Sequence, residues 1–193
     1  SVEAILEALG GTPEPLVEAI KAGKIRGAVG VVGCNNPKIP QDYGHVTLTR
    51  RLIENDILVL VTGCSAIANG KAGQMLPESA DMAGPGLSEV CKALGIPPVL
   101  HMGSCVDNTR ILTLAAALAN YLGVDVAQLP LAGAAPEWYS EKAVSIGAYV
   151  VASGIFTVVN PPLSVKGSPL VEKLLTEKSE ELFGATWAFE EDP

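Results

Sequence analysis

A chain of 193 residues that is 48% hydrophobic but only 5% aromatic holds one well-buried core of small side chains, as expected when helices pack closely on both faces of a parallel sheet. Its formal charge of −8 argues against nucleic acid and anionic membrane surfaces as partners, since both need basic patches. No apolar run approaches the roughly 20 residues of a spanning helix, and four cysteines make no disulfide scaffold, so a cytoplasmic location suits the free thiols.

Val2–Leu9 and Pro15–Ala22 read as short helices stopped by glycine, and Gly27–Val32 as the first buried strand. A polar loop, Cys34–Tyr43, leads to a helix over Val46–Asn55 and a second strand, Ile57–Val61. Ser65–Gly73 begins a helix behind Cys64, Met75–Pro85 is a Pro/Gly-rich excursion, and Leu87–Leu94 is helical. Val99–Met102 is the third strand. Asn108–Leu122 is the clearest helix, apolar almost all round and therefore expected to be buried. Val126–Leu131 is expected as a strand, Pro136–Ala152 mostly as helix, Phe156–Val159 as a strand, Leu170–Leu182 as a helix and Trp187–Phe189 as a last strand. Strand and helix in alternation predict a single Rossmann-like α/β domain over residues 1–193, a doubly wound, mostly parallel sheet with helices on both faces. Chain entry at Ser1, with neither an initiating Met nor a signal peptide, is read as a piece of something longer.

Three of the cysteines share one context. Cys34, Cys64 and Cys105 each close an apolar strand and open a turn containing glycine or asparagine. In open α/β sheets the carboxyl ends of the strands are where ligands bind. One such cysteine is explained as a small hydrophobe; three at about one βαβ unit's spacing suggest converging thiolates, and hence soft-metal or iron–sulfur ligation. The spacing is not that of a zinc finger, whose ligands come as close pairs. The alternative is three buried structural thiols, the reading preferred for Cys91 in its helix.

Lys142, in Glu137-Trp-Tyr-Ser-Glu-Lys142, is either a solvated surface charge or a donor to an oxygen bound at a metal. His101 reads as a core histidine, and His45 begins a helix. Asp107 and Asn108 are expected to cap the helix Asn108–Leu122, whose positive end would then point at Cys105. No nucleophile elbow, zinc-protease motif or Walker loop occurs, and Gly27-x-x-Gly30-x-x-Gly33 has the wrong spacing for a dinucleotide fingerprint.

Gly33-Cys-Asn-Asn-Pro-Lys38, Thr62-Gly-Cys-Ser-Ala66, Ser140-Glu-Lys-Ala-Val-Ser-Ile-Gly147 and above all His101-Met-Gly-Ser-Cys-Val-Asp-Asn-Thr-Arg110 closely resemble the carboxyl-terminal domain of the nickel-containing, anaerobic carbon monoxide dehydrogenases. The resemblance runs over essentially the whole chain. It implies an oxidoreductase that interconverts CO and water with CO2, two protons and two electrons at a Ni-Fe-S cluster, cluster C. It further implies that Cys34 and Cys64 ligate irons of the cubane, that Cys105 ligates nickel, and that Lys142 hydrogen-bonds the carboxylate-like species. The family's remaining ligands come from preceding amino-terminal domains, and the parent is expected to be a homodimer. The isolated chain, with part of the ligand set, is expected to lack the cluster and turnover. Two other readings stay open: a non-catalytic structural or assembly module, and a hybrid-cluster-type hydroxylamine reductase domain, against which the Met102–Asn108 string argues. The redox partner, whether acetyl-CoA synthase, ferredoxin or hydrogenase, is left open by the sequence.

Overall fold

β-branched and small residues in short runs, separated by helices long enough to cross back over a sheet, permit only parallel neighbours. The computed structural model describes residues 2–165 and 167–191. Among them are strands β1 (Gly27–Val31), β2 (Ile57–Thr62), β3 (Val99–Gly103), β4 (Leu131–Ala135), β5 (Phe156–Val159) and β6 (Trp187–Phe189). They form one six-stranded sheet in the order β3-β2-β1-β4-β5-β6, with every pairing parallel. The order reverses between β1 and β4, which opens a crevice beyond their carboxyl ends. This is the Rossmann-like α/β arrangement expected from the alternation of elements.

The helices are α1 (Val2–Ala8), α2 (Glu14–Lys21), α3 (Tyr43–Glu54), α4 (Gly63–Lys71), α5 (Pro85–Leu94), α6 (Asn108–Leu122), α7 (Glu141–Ala152), α8 (Pro169–Lys173) and α9 (Ser179–Phe183). Side chains alternate across the pleat. Leu58 and Leu60 of β2 and Leu100 and Met102 of β3 turn to α1, α2 and α6. Val59 and Val61 face the other way, into the core that Ile53 of α3, Ala66 of α4 and Leu87 of α5 complete. α7 lies beside α6, where Ile146 and Val150 approach Gly30 and Val32.

Two expectations are corrected and two are met with finer detail. Val126–Leu131 is not a strand: Val126–Gln128 is a 3₁₀ turn closed by a reciprocal capping box between Asp125 and Gln128, and the strand is Leu131–Ala135. Local side-chain bonding to the backbone has displaced the ladder there. Pro136–Ala152 is mostly helix as expected, starting at Glu141, where Ser140 caps the helix by accepting from the Lys142 N–H. Leu170–Leu182 is helical as expected, within one continuous run from Pro169 to Phe183 whose middle residues, Leu174–Lys178, form a π turn between α8 and α9. Within it the Thr186 hydroxyl, at 3.1 Å and 2.8 Å, reaches the carbonyls of Leu175 and Thr176, and Ser179 Oγ also donates to Leu175. Finally, α6 is not buried all round: Ala115 and Ala119 are buried, whereas Ala116, Ala117 and Tyr121 are exposed. A helix laid on one sheet shields only the face it turns inward.

α7 crosses β6 at close range. A Cβ added at Gly147 would lie 2.4 Å from Trp187 Cη2 and 2.6 Å from Cζ3. Gly147→Ala is therefore expected to lower stability by roughly 1–3 kcal/mol through overpacking. Urea unfolding measures this, and an unchanged midpoint would show that α7 slides freely on the indole.

Candidate functional site

Each of the first three strands ends in a turn that delivers one cysteine. Gly33, at φ +116°, precedes Cys34, and Gly63, at φ +55°, precedes Cys64. L side chains are disfavoured at these angles, so glycine is what lets the chain turn sharply off the sheet. Gly63 is also a point of close approach, since its Cβ would lie 3.1 Å from Cys105 Cβ and 3.2 Å from the Cys105 nitrogen. Cys64 sits inside the first turn of α4, which starts at Gly63 and so earlier than the expected Ser65. Cys105 opens a 3₁₀ turn, Cys105–Asp107, that leads into α6.

Of the two expected cap residues, Asp107 acts one turn earlier than anticipated. Asp107 Oδ2 accepts from both the nitrogen and the hydroxyl of Ser104, each at 2.8 Å, and stabilises the Cys105 turn rather than α6 itself. Those two donors, with Arg110 nearby, hold the Asp107 carboxyl below its ordinary pKa. Asn108 is buried, and its Oδ1 accepts from Thr62 Oγ1 at 2.5 Å. That contact joins the end of β2 to the start of α6, beside the register shift at Val61/Thr62.

The result is one cavity of about 260 Å³ above the sheet, lined by Cys34, Cys64 and Cys105 together with Lys142 of α7. Its remaining walls are largely apolar and include Val32, Ile146, Val150 and Val159. Lys142 Nζ donates to Cys105 Sγ at 3.6 Å. All four residues singled out in the sequence are thus brought together. His101 and Cys91 are not: His101 is exposed on β3, its Nε2 donating to the Gly103 carbonyl at 3.1 Å, and Cys91 is buried in α5. Burial pushes the Cys91 thiol up to about 12. In folded, metal-free protein near neutral pH, Cys91 should therefore resist alkylation while exposed Cys64 reacts; mass spectrometry of iodoacetamide adducts reads this. Equal labelling of the two would contradict the structural role of Cys91.

His45, which the sequence places only at the start of a helix, and Glu137, which it assigns no role, lie close to Cys34. His45 is completely buried, and its ring donates from Nε2 to the Cys34 carbonyl at 2.7 Å. Burial lowers its pKa, against the opposing pull of that carbonyl and of the Glu137 and Asp42 carboxylates. Glu137, which the sequence places in a helix, instead lies in the loop after β4, fully buried. Neither residue stands in a motif; only the oddity of a charged residue between Pro136 and Trp138, in an apolar stretch, could have drawn notice.

Among the described residues, no group of three His, Cys, Asp or Glu side chains closes on a single ion. Three sulfurs that line one cavity without closing on a single ion suit a multinuclear metal–sulfur group better than a mononuclear one. The donor set is all sulfur, and the one cation beside it is a hydrogen-bond donor, not a ligand.

Comparison with known proteins gives a consistent result. The Prismane/CO dehydrogenase family matches residues 2–193. Carbon monoxide dehydrogenase 1 of Methanosarcina acetivorans is 62% identical over 193 residues, covering 100% of this chain and 31% of its own. The carbon monoxide dehydrogenase of Rhodospirillum rubrum is 44% identical over 207 residues and is matched over 32% of its length. The as-isolated, Ni-free crystal structure of carbon monoxide dehydrogenase from Thermococcus sp. AM4, produced without the CooC maturase, superposes with a TM-score of 0.97 at 57% identity, over 100% of this chain and 30% of that one. An acetyl-CoA synthase/carbon monoxide dehydrogenase described with NiZn[Fe4S4] and NiNi[Fe4S4] clusters gives 0.94 at 40% identity, over 100% of this chain and 31% of that one. The chain thus spans about a third of the length of the relatives it matches.

Proposed function

Since the chain belongs to the Prismane/CO dehydrogenase family, we propose that it forms part of the active site of an anaerobic, cytoplasmic carbon monoxide dehydrogenase, interconverting CO and water with CO2, two protons and two electrons. The observation that carries this reading is the convergence of Cys34, Cys64, Cys105 and Lys142 on one cavity at the carboxyl end of the sheet. Cys34 and Cys64 would hold irons and Cys105 nickel, with the remaining ligands supplied by amino-terminal domains of a homodimeric parent. When bound, the Ni-Fe-S cluster supplies the site at which CO meets a water-derived oxygen and the store for the electrons released.

The chain's own residues do the rest. The ammonium of Lys142, held at the start of α7 by the Ser140 cap, donates to the oxygen that gains carboxylate character as carbon is oxidised. It lies beside Cys105, where it would be within reach of a substrate oxygen if that sulfur held nickel. Val32, Ile146 and Val150 give the cavity apolar walls, and cover by the amino-terminal domains would remove bulk water and strengthen that hydrogen bond.

The test is iron and nickel per chain in the complete polypeptide that carries this sequence, purified without oxygen, for the native protein and for Cys34→Ser, Cys64→Ser and Cys105→Ser. Loss of nickel with most iron retained is expected for Cys105→Ser, and loss of iron for the other two. Full metal content in all three variants would refute the reading. Nickel in the native protein also separates it from a hybrid-cluster hydroxylamine reductase, whose cluster contains iron without nickel.

A further inference from the structure

The loop after β1 and the loop after β4 run side by side, and a carboxylate lies between them. Glu137 Oε1 accepts from the Gly44 nitrogen at 2.8 Å. Its Oε2 accepts from Asn35 Nδ2 at 2.9 Å and from the Asp42 nitrogen at 3.2 Å. All three partners are donors and none is a cation. A neutral amide at this position would set its own N–H groups against them, so the pocket accepts only a carboxylate. Burying such a charge is costly unless its hydrogen bonds are complete, and here they bind three separate points of the chain.

Two of those points belong to the start of α3. Its N-cap residue, Asp42, sits at φ +68° and makes no side-chain capping bond. Glu137 takes over the task from 95 residues away in sequence, accepting from Asp42 and Gly44 as a local cap would. The third point is Asn35, next to Cys34, whose amide also donates to Asp42 Oδ1 at 3.0 Å. Asn36 continues the seam by donating to the Trp138 carbonyl at 2.9 Å, and His45 holds the Cys34 carbonyl from the other side.

We infer that Glu137 is the positioning residue for Cys34: a buried carboxylate that closes the Cys34–Asp42 loop onto β4 and α3, so that this sulfur is already set in the cavity when metal arrives. The inference rests on Cys34 being a metal ligand. Glu137 itself touches no reacting atom.

The test uses the complete polypeptide, anaerobic, with Glu137→Gln as the principal variant. Outer partners of metal ligands typically alter metal affinity on the order of 10- to 100-fold. Iron per chain should therefore fall steeply under limiting iron, and in metal-free protein Cys34 should alkylate on the order of tenfold faster relative to Cys64. Cys91 serves as an internal gauge of unfolding and should stay protected. Unchanged Cys34 labelling, or labelling of Cys91 in step with it, would overturn the inference. If Glu137→Gln does not accumulate as folded protein, Asn35→Ala removes the loop side of the same link while Glu137 keeps its bonds to the Asp42 and Gly44 nitrogens. The same rise in Cys34 labelling is expected there, and its absence is equally fatal. Cys34→Ser separates the two ideas: full metal in that variant refutes the ligand reading alone, while the labelling ratio still decides whether Glu137 holds the loop.

Discussion

Lys142→Ala should lower kcat for CO oxidation in the complete enzyme by about 10²–10³, the loss typical of removing one preorganised donor to developing negative charge. The side chain is exposed and donates to Cys105 Sγ at 3.6 Å, so truncation costs the fold little. Stability should stay within about 0.5 kcal/mol of native. Nickel and iron content should not change, because lysine is no ligand. If the ammonium acts on the transition state and not on the bound substrate, kcat and kcat/KM fall together. Lys142→Arg keeps the charge but replaces a compact ammonium with a broad planar fork, and should recover only part of the rate. Retention of full activity by the alanine variant would remove Lys142 from the chemistry. Loss of nickel would reassign it to maintaining the site.

The largest stability effect is expected at Trp187. It is 4% exposed in β6 and packs with Ala135, Val151 and Val159 into the core between β4, β5 and α7. Its ring lies 6.3 Å from that of Phe189, tilted by 48°. Trp187→Ala should cost about 3–5 kcal/mol by lost transfer energy and the cavity left behind. For a chain of this size that corresponds to a Tm lower by roughly 6–20 °C. Because the indole is what a Gly147 side chain would strike, the two positions are coupled. Gly147→Ala should be far less harmful, or helpful, once Trp187 is alanine. Additive costs in the double variant would mean that the close approach of α7 to the ring does not limit packing.

The parallel sheet was legible in the sequence because each strand is an apolar run stopped by glycine or followed by helix, and the cysteines marked its functional edge. The details that apolar pattern missed have a common cause. Val126–Gln128, the segment after Pro136 and the π turn at Leu174–Lys178 are all governed by polar side chains that bond to backbone: Asp125 with Gln128, Asn36 to Trp138, Thr186 to Leu175. Apolar periodicity carries no trace of such bonds. Some of the partners are also distant in sequence, as Asn36 and Trp138 or Asn35 and Glu137 are. Sulfur at strand ends was therefore readable, whereas the carboxylate and imidazole that brace one of those sulfurs were not. Likewise, α6 was read as buried because its composition is apolar, but composition does not say how many sides a helix has covered.

The strand order has a consequence for how the chain is made. β1 pairs on one side with β2, which follows it directly, and on the other with β4, which the ribosome delivers only after β3 and α6. Until then the growing chain holds three thiol-bearing turns and a sheet with β1 as an open edge. Such an edge recruits foreign strands. The interval is seconds at ordinary elongation rates. Metal offered during it would find Cys34, Cys64 and Cys105 without Glu137 or Lys142 beside them. Loading after release, onto a sheet already closed, is the order that this topology rewards.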